Sequence, residues 1–507
     1  MKNRILALFL APFVALALGL GFAQQANTLT IAQTQDPQSW DPIDTFFLAW
    51  GMIGSSIFDG LVERDLDMEI GPGLATSWEW IGDENDRLRF TLREGVTFHN
   101  GEPFDAEAVK FTFDRLLGEE GAAGPQQSNY TSIDHVEIVD PMTVDLVLAS
   151  PDPVLITKLA GYGAMIVPPG YVSENDDETF NRMPVGTGPF KVVEYVSDDR
   201  LVLEANPDYF GGAPNVDRVV FRFIEEPSTR VAELQAGRVD IVQDVPISLA
   251  GGVDNAPDAS IVPVGSPTVS ALRFNHCLAP TDDVVVRQAI AHAIDREGII
   301  DVILEGYGTP IASFQSSMSL GFDPELEPYA YDPELAQRLL ADAGVASDAT
   351  VQIDFIGSNA IFREVAQATA SMLEAVGLNV ELVTHETNTY YNEMVPENRV
   401  GHLYYSGWGG WTLDFDNTAG LLYGTGQFWN PCFTNQEVDD LLVAQRQTYD
   451  QNEREAILQE IARLEHSLLI DLPMYQHQNL WGVADRVQGF QAPADDRHDL
   501  TAVSLAN

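Results

Sequence analysis

At 507 residues the chain exceeds what one hydrophobic core organises, roughly 250 to 300 residues, so two lobes are expected. Its 76 acidic residues against 27 basic ones leave a formal charge of −49, a field that repels nucleic acid and anionic membrane and argues against either as a partner. The acidity is spread along the chain and the only lysines are Lys2, Lys110, Lys158 and Lys191, which favours a surface adapted to salty surroundings over a trap for cationic solutes.

Residues 1–23 read as a cleaved secretory leader: Lys2 and Arg4, an apolar run over 5–22, then Ala23 with small Gly21 two positions before it. No Cys follows the run, so a lipid anchor is not encoded. The mature chain is expected in the periplasm, with no membrane insertion once the leader is removed. Asp65-Leu66-Asp67-Met68-Glu69 imitates the start of a calcium loop, but Ile70 stands where Gly is needed and Thr76 where a bidentate Glu is needed. Gly186-Thr187-Gly188-Pro189 lacks the third Gly and the Lys of a phosphate cradle and reads as a turn.

A βαβ unit follows. Val219, Phe221 and Phe223 alternate as a strand; Ser228 is placed to cap a short helix carrying Val231 and Leu234; Gly237 ends it before a second strand over 239–242, parallel to the first. A helix is predicted from Asp283 to about Leu304, capped by Asp283, with Val286, Ile290 and Ile294 inward. A second βαβ unit has a strand through Val351, Ile353 and Phe355. Its helix runs from Phe362 to Val376, Gly377 ends it, and Val380 and Leu382 begin the next strand. Ile457, Ile461, Leu464 and Leu468 mark a late amphipathic helix that stops at Pro473. Each half of the chain thus has its own α/β core, with ligands expected at the carboxyl ends of the strands, in the cleft between lobes.

Catalytic signatures are missing. There is no G-x-S-x-G elbow, and the nine histidines, among them His99, His135, His385 and His466, are scattered without an H-E-x-x-H or a Cys pair at ligand spacing. No enzyme, cofactor or metal site is expected. The densest chemistry lies at 404–417, YYSGWGGWTLDFDN, where glycines interleave with tryptophans and let rings approach a ligand. Candidate ligand-binding residues are Tyr405, Trp408, Gly410, Trp411, Asp414 and Asp416. Cys277 and Cys432, in an exported chain, are a candidate disulfide, with two separate buried thiols as the alternative.

Phrases in fixed order resemble the peptide/nickel-type, family 5 extracellular solute-binding proteins of ABC importers, the dipeptide and oligopeptide binders. They are SIFDGLVERD at 56–65, PGLATSWEW at 72–80, LRFTLREGVTFHNGEPFDAEAVKFTFDRL at 88–116, GTGPFKVVEY at 186–195, the 206–242 unit, DDVVVRQAIAHAIDREGIIDVIL at 282–304 and YDPELAQRLLADAG at 331–344. The resemblance implies an α/β, two-lobed periplasmic binding protein fold of type II, in the large cluster with an extra inserted subdomain. Lobe I would comprise 24–47, 183–269 and 477–507, the insert 48–182 and lobe II 270–476, with hinge strands near 269–272 and 475–480. It implies a monomeric receptor that hands a dipeptide or oligopeptide to a membrane permease and its ATPase.

One departure from the family pattern concerns the ligand. Peptide binders commonly show G-W-x-x-D-x-x-D-P-D-N, the first Asp receiving the α-ammonium; here Trp411 stands at that Asp. The Arg that pairs with a dipeptide carboxylate is also missing from 357–360, and Arg363 falls inside the helix. Asp414 remains as a displaced amino anchor. An oligosaccharide stacked on Trp411 is the alternative solute, a nickel chelate the next, and a secreted glycoside hydrolase using Asp414 and Asp416 as paired carboxylates the alternative from another class.

Overall fold

The computed structural model describes residues 27–506 apart from 46, 47, 67, 83, 84, 348, 496 and 498. The expected leader lies outside the described residues. Among them, no helix is long and apolar enough to cross a membrane.

Ten strands run side by side in one sheet, and an eleventh, Gly308–Thr309, pairs with Asp471–Ala484 off that path. From the lobe II edge the order is Asn379–His385, Thr350–Ile356, Leu403–Gly409, Ala259–Phe274, Asp471–Ala484, Ile241–Val242, Thr28–Gln33, Arg218–Phe223, Arg200–Ala205 and Phe190–Val196. Both predicted βαβ units are present. In lobe I, Arg218–Phe223 and Ile241–Val242 flank Thr28–Gln33, each parallel to it. In lobe II, Thr350–Ile356 and Asn379–His385 pair in parallel around the helix Ala360–Ala375, whose Phe362, Val365, Ala366, Thr369 and Leu373 are buried.

Two strands belong to both lobes. Ala259–Phe274 and Asp471–Ala484 are antiparallel partners that cross from one core to the other. Their ladder slips between Gly265 and Val269, where Gly265 faces Gln478 and Val269 faces Gln476. Ser266, Pro267 and Thr268 therefore bulge out, and Pro267 has no N–H to give the ladder. Gln476 ties the bulge down, its Nε2 donating to the Ser266 carbonyl at 2.9 Å. The ladder is thus broken where the two strands cross between the lobes.

The expected insert, 48–182, divides between two cores. A four-stranded antiparallel sheet, Ala75–Ile81, Arg87–Leu92, Thr143–Leu148 and Ile133–Asp140, packs with the helix Ala106–Leu117. Trp50, Ile53 and Ile57 of the helix Leu48–Ile57 instead join Leu29, Phe221 and Trp481 in the lobe I core.

Three local expectations are corrected. The helix Pro227–Gln235 is capped by Glu226, whose carboxylate accepts from the Ser228 N–H, because Pro227 occupies the first turn and moves the cap one residue earlier. The helix expected over 283–304 is two, Val284–Ala293 and Arg296–Val302, because Asp295 caps a new start by accepting from Gly298 N–H. The helix Gln451–Leu468 ends on Leu469 in the left-handed conformation, φ 45°, while Pro473 sits inside the following strand opposite Ala271. Cys277 and Cys432 form a disulfide with Cα atoms 5.5 Å apart.

Candidate functional site

A chamber of about 580 Å³ opens where strands of both lobes end. Lobe I contributes Thr34 and Gln35, just past Thr28–Gln33, and Gln243 and Asp244, just past Ile241–Val242. Lobe II contributes Gly409, Gly410 and Trp411 from the carboxyl end of Leu403–Gly409, and the bulge in the crossing strands contributes Ser266, Pro267 and Thr268. The insert closes one side with Gly161 and Tyr162, and the C-terminal segment adds Asp495 and Arg497. This is the strand-end crevice where α/β sheets bind ligands, formed here from two lobes at once.

The six residues expected at the site separate. Gly410 and Trp411 line the chamber. Trp411 is half-buried, and it lies so close to Gly161 that a Cβ there would sit 2.7 Å from the indole Cζ3. Trp408 turns into lobe II instead: its Nε1 donates to Thr418 Oγ1 at 3.0 Å and its ring meets Trp429 edge-on at 5.9 Å. Tyr405 is 1 % exposed, stacked on Phe362 and hydrogen-bonded to Thr369 at 2.7 Å. Residues 403–406 of the Leu403–Gly409 strand are buried on both faces, so Tyr404 and Tyr405 fill core, while Trp408 is partly buried against the lobe II core.

Asp414 and Asp416 face inward. Arg454 donates twice to the Asp414 carboxylate, at 2.6 Å each, with both side chains almost fully buried. Asp414 also caps the helix Phe415–Leu422 by accepting from Asp416 N–H at 3.0 Å. Asp416 accepts from Gln445 Nε2 and from Arg446 Nε, the latter at 2.7 Å, and Arg454 bridges the network to Gln445 Oε1 at 3.0 Å. A carboxylate so matched is engaged by the protein itself, which supports a structural role for Asp414 over the amino anchor and the acid–base pair of the sequence readings. Tyr405 is buried in the lobe II core, and Trp408 packs partly buried against it, away from the chamber.

Two neighbouring cavities adjoin the chamber. One of about 680 Å³ shares Gly161, Asp495 and Arg497 with it, and one of about 690 Å³ shares Leu413. Around these shared walls lie two arginines. Arg497 pairs with Asp495, its Nε 2.6 Å from Oδ2, and donates to the Ala160 carbonyl. Arg64, at the insert's edge, donates to Met68 O at 2.9 Å and reaches across to the Thr412 carbonyl of lobe II. Burial, then the charge of Arg497, lowers the Arg64 guanidinium to about 10. In the wall of the cavity of about 680 Å³, Asp59 is pushed up to about 6 by burial, against the hydroxyls of Thr187 and Tyr209, and burial together with Asp59 holds Glu63 well above the carboxylate range. Among the described residues, no group of three or more His, Cys, Asp or Glu side chains is placed to hold a metal ion.

Sequence reasoning missed Tyr162, Gln243, Asp244, Asp495 and Arg497. A signal existed for two of them: Gln243 and Asp244 directly follow the second strand of the first βαβ unit, the strand end where a ligand is expected.

Comparison with known proteins agrees with this architecture. The chain is 28% identical over 444 residues to a glutathione-binding protein, GsiB, of Pectobacterium atrosepticum, covering 85% of each chain. It is 25% identical over 521 residues to the dipeptide-binding protein of Escherichia coli, covering 96% of each. HbpA2 from Haemophilus parasuis superposes with a TM-score of 0.86 at 27% identity, over 95% of this chain and 100% of that one. Residues 69–430 match the profile described as bacterial extracellular solute-binding proteins, family 5 Middle. With its two lobes, bulged crossing strands and strand-end chamber, the chain belongs to the family 5 extracellular solute-binding proteins, which capture solutes for ABC importers and are not enzymes.

Proposed function

We propose that this receptor captures a dipeptide, oligopeptide or similar peptide-like solute in the chamber between Trp411 and the strand ends of lobe I, then delivers it to a membrane permease. The observation that carries the reading is that chamber, which takes walls from both lobes and from the bulged strands between them. Its volume suits a small solute. Relatives named for glutathione and dipeptides support a peptide-like occupant.

Closure follows from the placement of the walls. A solute touching only lobe I gains half its contacts, and bending at Ser266–Thr268 brings Gly410 and Trp411 onto it, so binding shifts the hinge toward the closed form. Energy for transport comes from the permease's ATPase, and the receptor itself acts as an exported monomer in the periplasm.

An oligosaccharide is the second reading, favoured by the half-buried indole of Trp411 in the chamber wall. A thermal-shift screen of the chain from Gln24 onward against short peptides and neutral oligosaccharides separates the two. Ligand at about a hundredfold over its Kd adds roughly 2.7 kcal/mol of stability. Stabilisation by peptides supports the proposal; stabilisation by sugars alone refutes it.

A further inference from the structure

Carboxylates in the chamber wall and in the core behind it differ in what holds them. Asp414 is matched by Arg454, Asp416 by Arg446 and Asp495 by Arg497. Asp244 is not: among the described residues its carboxylate makes no hydrogen bond or ion pair, although the residue lines the chamber and is exposed within it. The surrounding protein is close enough that burial raises its pKa, with Arg230 pulling the other way. An exposed group that nonetheless feels desolvation is one facing a narrow cleft, not open solvent.

Its position is fixed from behind. Asp244 adopts a left-handed backbone conformation, φ 50°, which Asp tolerates better than most residues. Arg230, 2 % exposed, donates to the Asp244 carbonyl at 3.1 Å and to the carbonyls of Ile224 and Glu225 at 2.8 Å each. The guanidinium thus braces the turn through its backbone and leaves the Asp244 side chain to the chamber. Beside it Gln243 lines the same chamber, 3 % exposed, and its Oε1 has no donor. Two neighbouring acceptors thus sit side by side without donors among the described residues, the Gln243 oxygen buried and the Asp244 carboxylate open to the chamber. An ammonium brings three N–H donors and the compensating charge.

We propose that Asp244 and Gln243 form the receptor for a primary ammonium group of the solute, on the lobe I wall of the chamber whose lobe II wall is Gly410 and Trp411. The inference rests on the peptide reading above and names the end of the peptide that is recognised: its free amino terminus. A lobe I anchor also gives the order of events. The open protein seizes the charged end first, and Trp411 closes over the remainder when the hinge bends.

The test is titration calorimetry with thermal shift on the full mature chain and on Asp244→Asn, which keeps an acceptor but removes the charge. The probes are peptides of about two to six residues, the same peptides N-acetylated, and neutral oligosaccharides. The expected result is that acetylation weakens binding to the unsubstituted protein by about tenfold or more, and that Asp244→Asn loses a similar factor for free peptides and no longer distinguishes the two forms. Asp244→Asn without ligand should melt as the parent does, since the carboxylate holds no protein group. Peptides that bind equally well free and acetylated overturn the ammonium site while leaving the peptide reading intact. Binding by sugars only, or by none of the pools, overturns both.

Discussion

Replacing Asp414 by Ala separates a structural acid from a binding one. The substitution strands the Arg454 guanidinium, whose side chain is 4% exposed, without its counter-ion. Breaking a buried pair from one side costs about 3 to 5 kcal/mol, because the surviving charge stays desolvated. The lost cap on Phe415–Leu422 adds roughly 1 kcal/mol. The expected loss is therefore a large fraction of a typical domain's stability of about 5 to 15 kcal/mol. Urea unfolding followed by tryptophan fluorescence measures it, with Arg454→Met and the double variant completing a cycle. The double variant should recover much of the loss, since it leaves neither charge unpaired. Solute affinity of the molecules that remain folded at low temperature should be unchanged within about threefold. An Asp414→Ala protein that keeps its stability to within about 1 kcal/mol and loses its solute would refute the structural assignment and restore Asp414 as an anchor.

Gly161→Ala should weaken solute binding and shift the intrinsic tryptophan emission, because the added Cβ would lie 2.7 Å from Trp411 Cζ3 and 2.9 Å from the Lys158 carbonyl; unchanged affinity and emission would mean that Trp411 is not held by this contact. His477, paired at 2.7 Å with Ser270 on the crossing strands, has its pKa pushed down to about 4 by burial. Above about pH 6.5 both states are neutral there; as pH falls toward 4 the unfolded chain takes up a proton the folded one refuses, so stability is lost across that window, by about 2 kcal/mol after allowing for partial exposure. His477→Gln should flatten that part of the urea-midpoint profile, and a profile of unchanged slope counts against it. Reduction of Cys277–Cys432, which spans 155 residues, should cost about 2 to 4 kcal/mol in the oxidised-versus-reduced thermal melt, whereas coincident melts would contradict a stabilising bridge.

The elements that were legible are those whose pattern is local. The 3.6-residue spacing of Phe362, Val365, Ala366, Thr369 and Leu373 appears as one buried helix face, and the alternation in 351–355 as a strand. At 404–408 the same rule has nothing to work on: Tyr404 and Tyr405 point to opposite faces and both are buried, because the strand lies inside a sheet covered on both sides. Alternation could not say that Trp408 faces Thr418 in lobe II while Trp411, past the strand's end, faces the chamber. The break between Val284–Ala293 and Arg296–Val302 was equally hidden, since the apolar stripe runs across it and only the Asp295 cap betrays it.

The harder question was which acid meets the solute, and it turns on arginines far away in the chain. Asp414 and Asp244 look alike in sequence, each a few residues beyond a strand, yet Arg454 lies 40 residues from the first and reaches its carboxylate, whereas Arg230 lies 14 residues from the second and reaches only its carbonyl. With 76 acids to 27 basic residues most carboxylates have no cation to pair with and belong on the surface. Many interior ones are matched, as Asp471 is by Arg273 and Asp145 by Arg89, or held by hydroxyl and N–H donors, as Asp36 is by Tyr195, while burial holds Glu465 well above the ordinary carboxylate range. Among the described residues Asp244 has neither an ion pair nor such a donor. It is hemmed in enough to feel desolvation and open enough to be reached, and Arg230, the cation beside it, bonds only its carbonyl, which leaves the carboxylate free to take a direct partner from the solute. In a binding protein whose expected amino anchor has become Trp411, the solute is the partner that also explains why Arg230 braces the backbone and leaves the carboxylate alone.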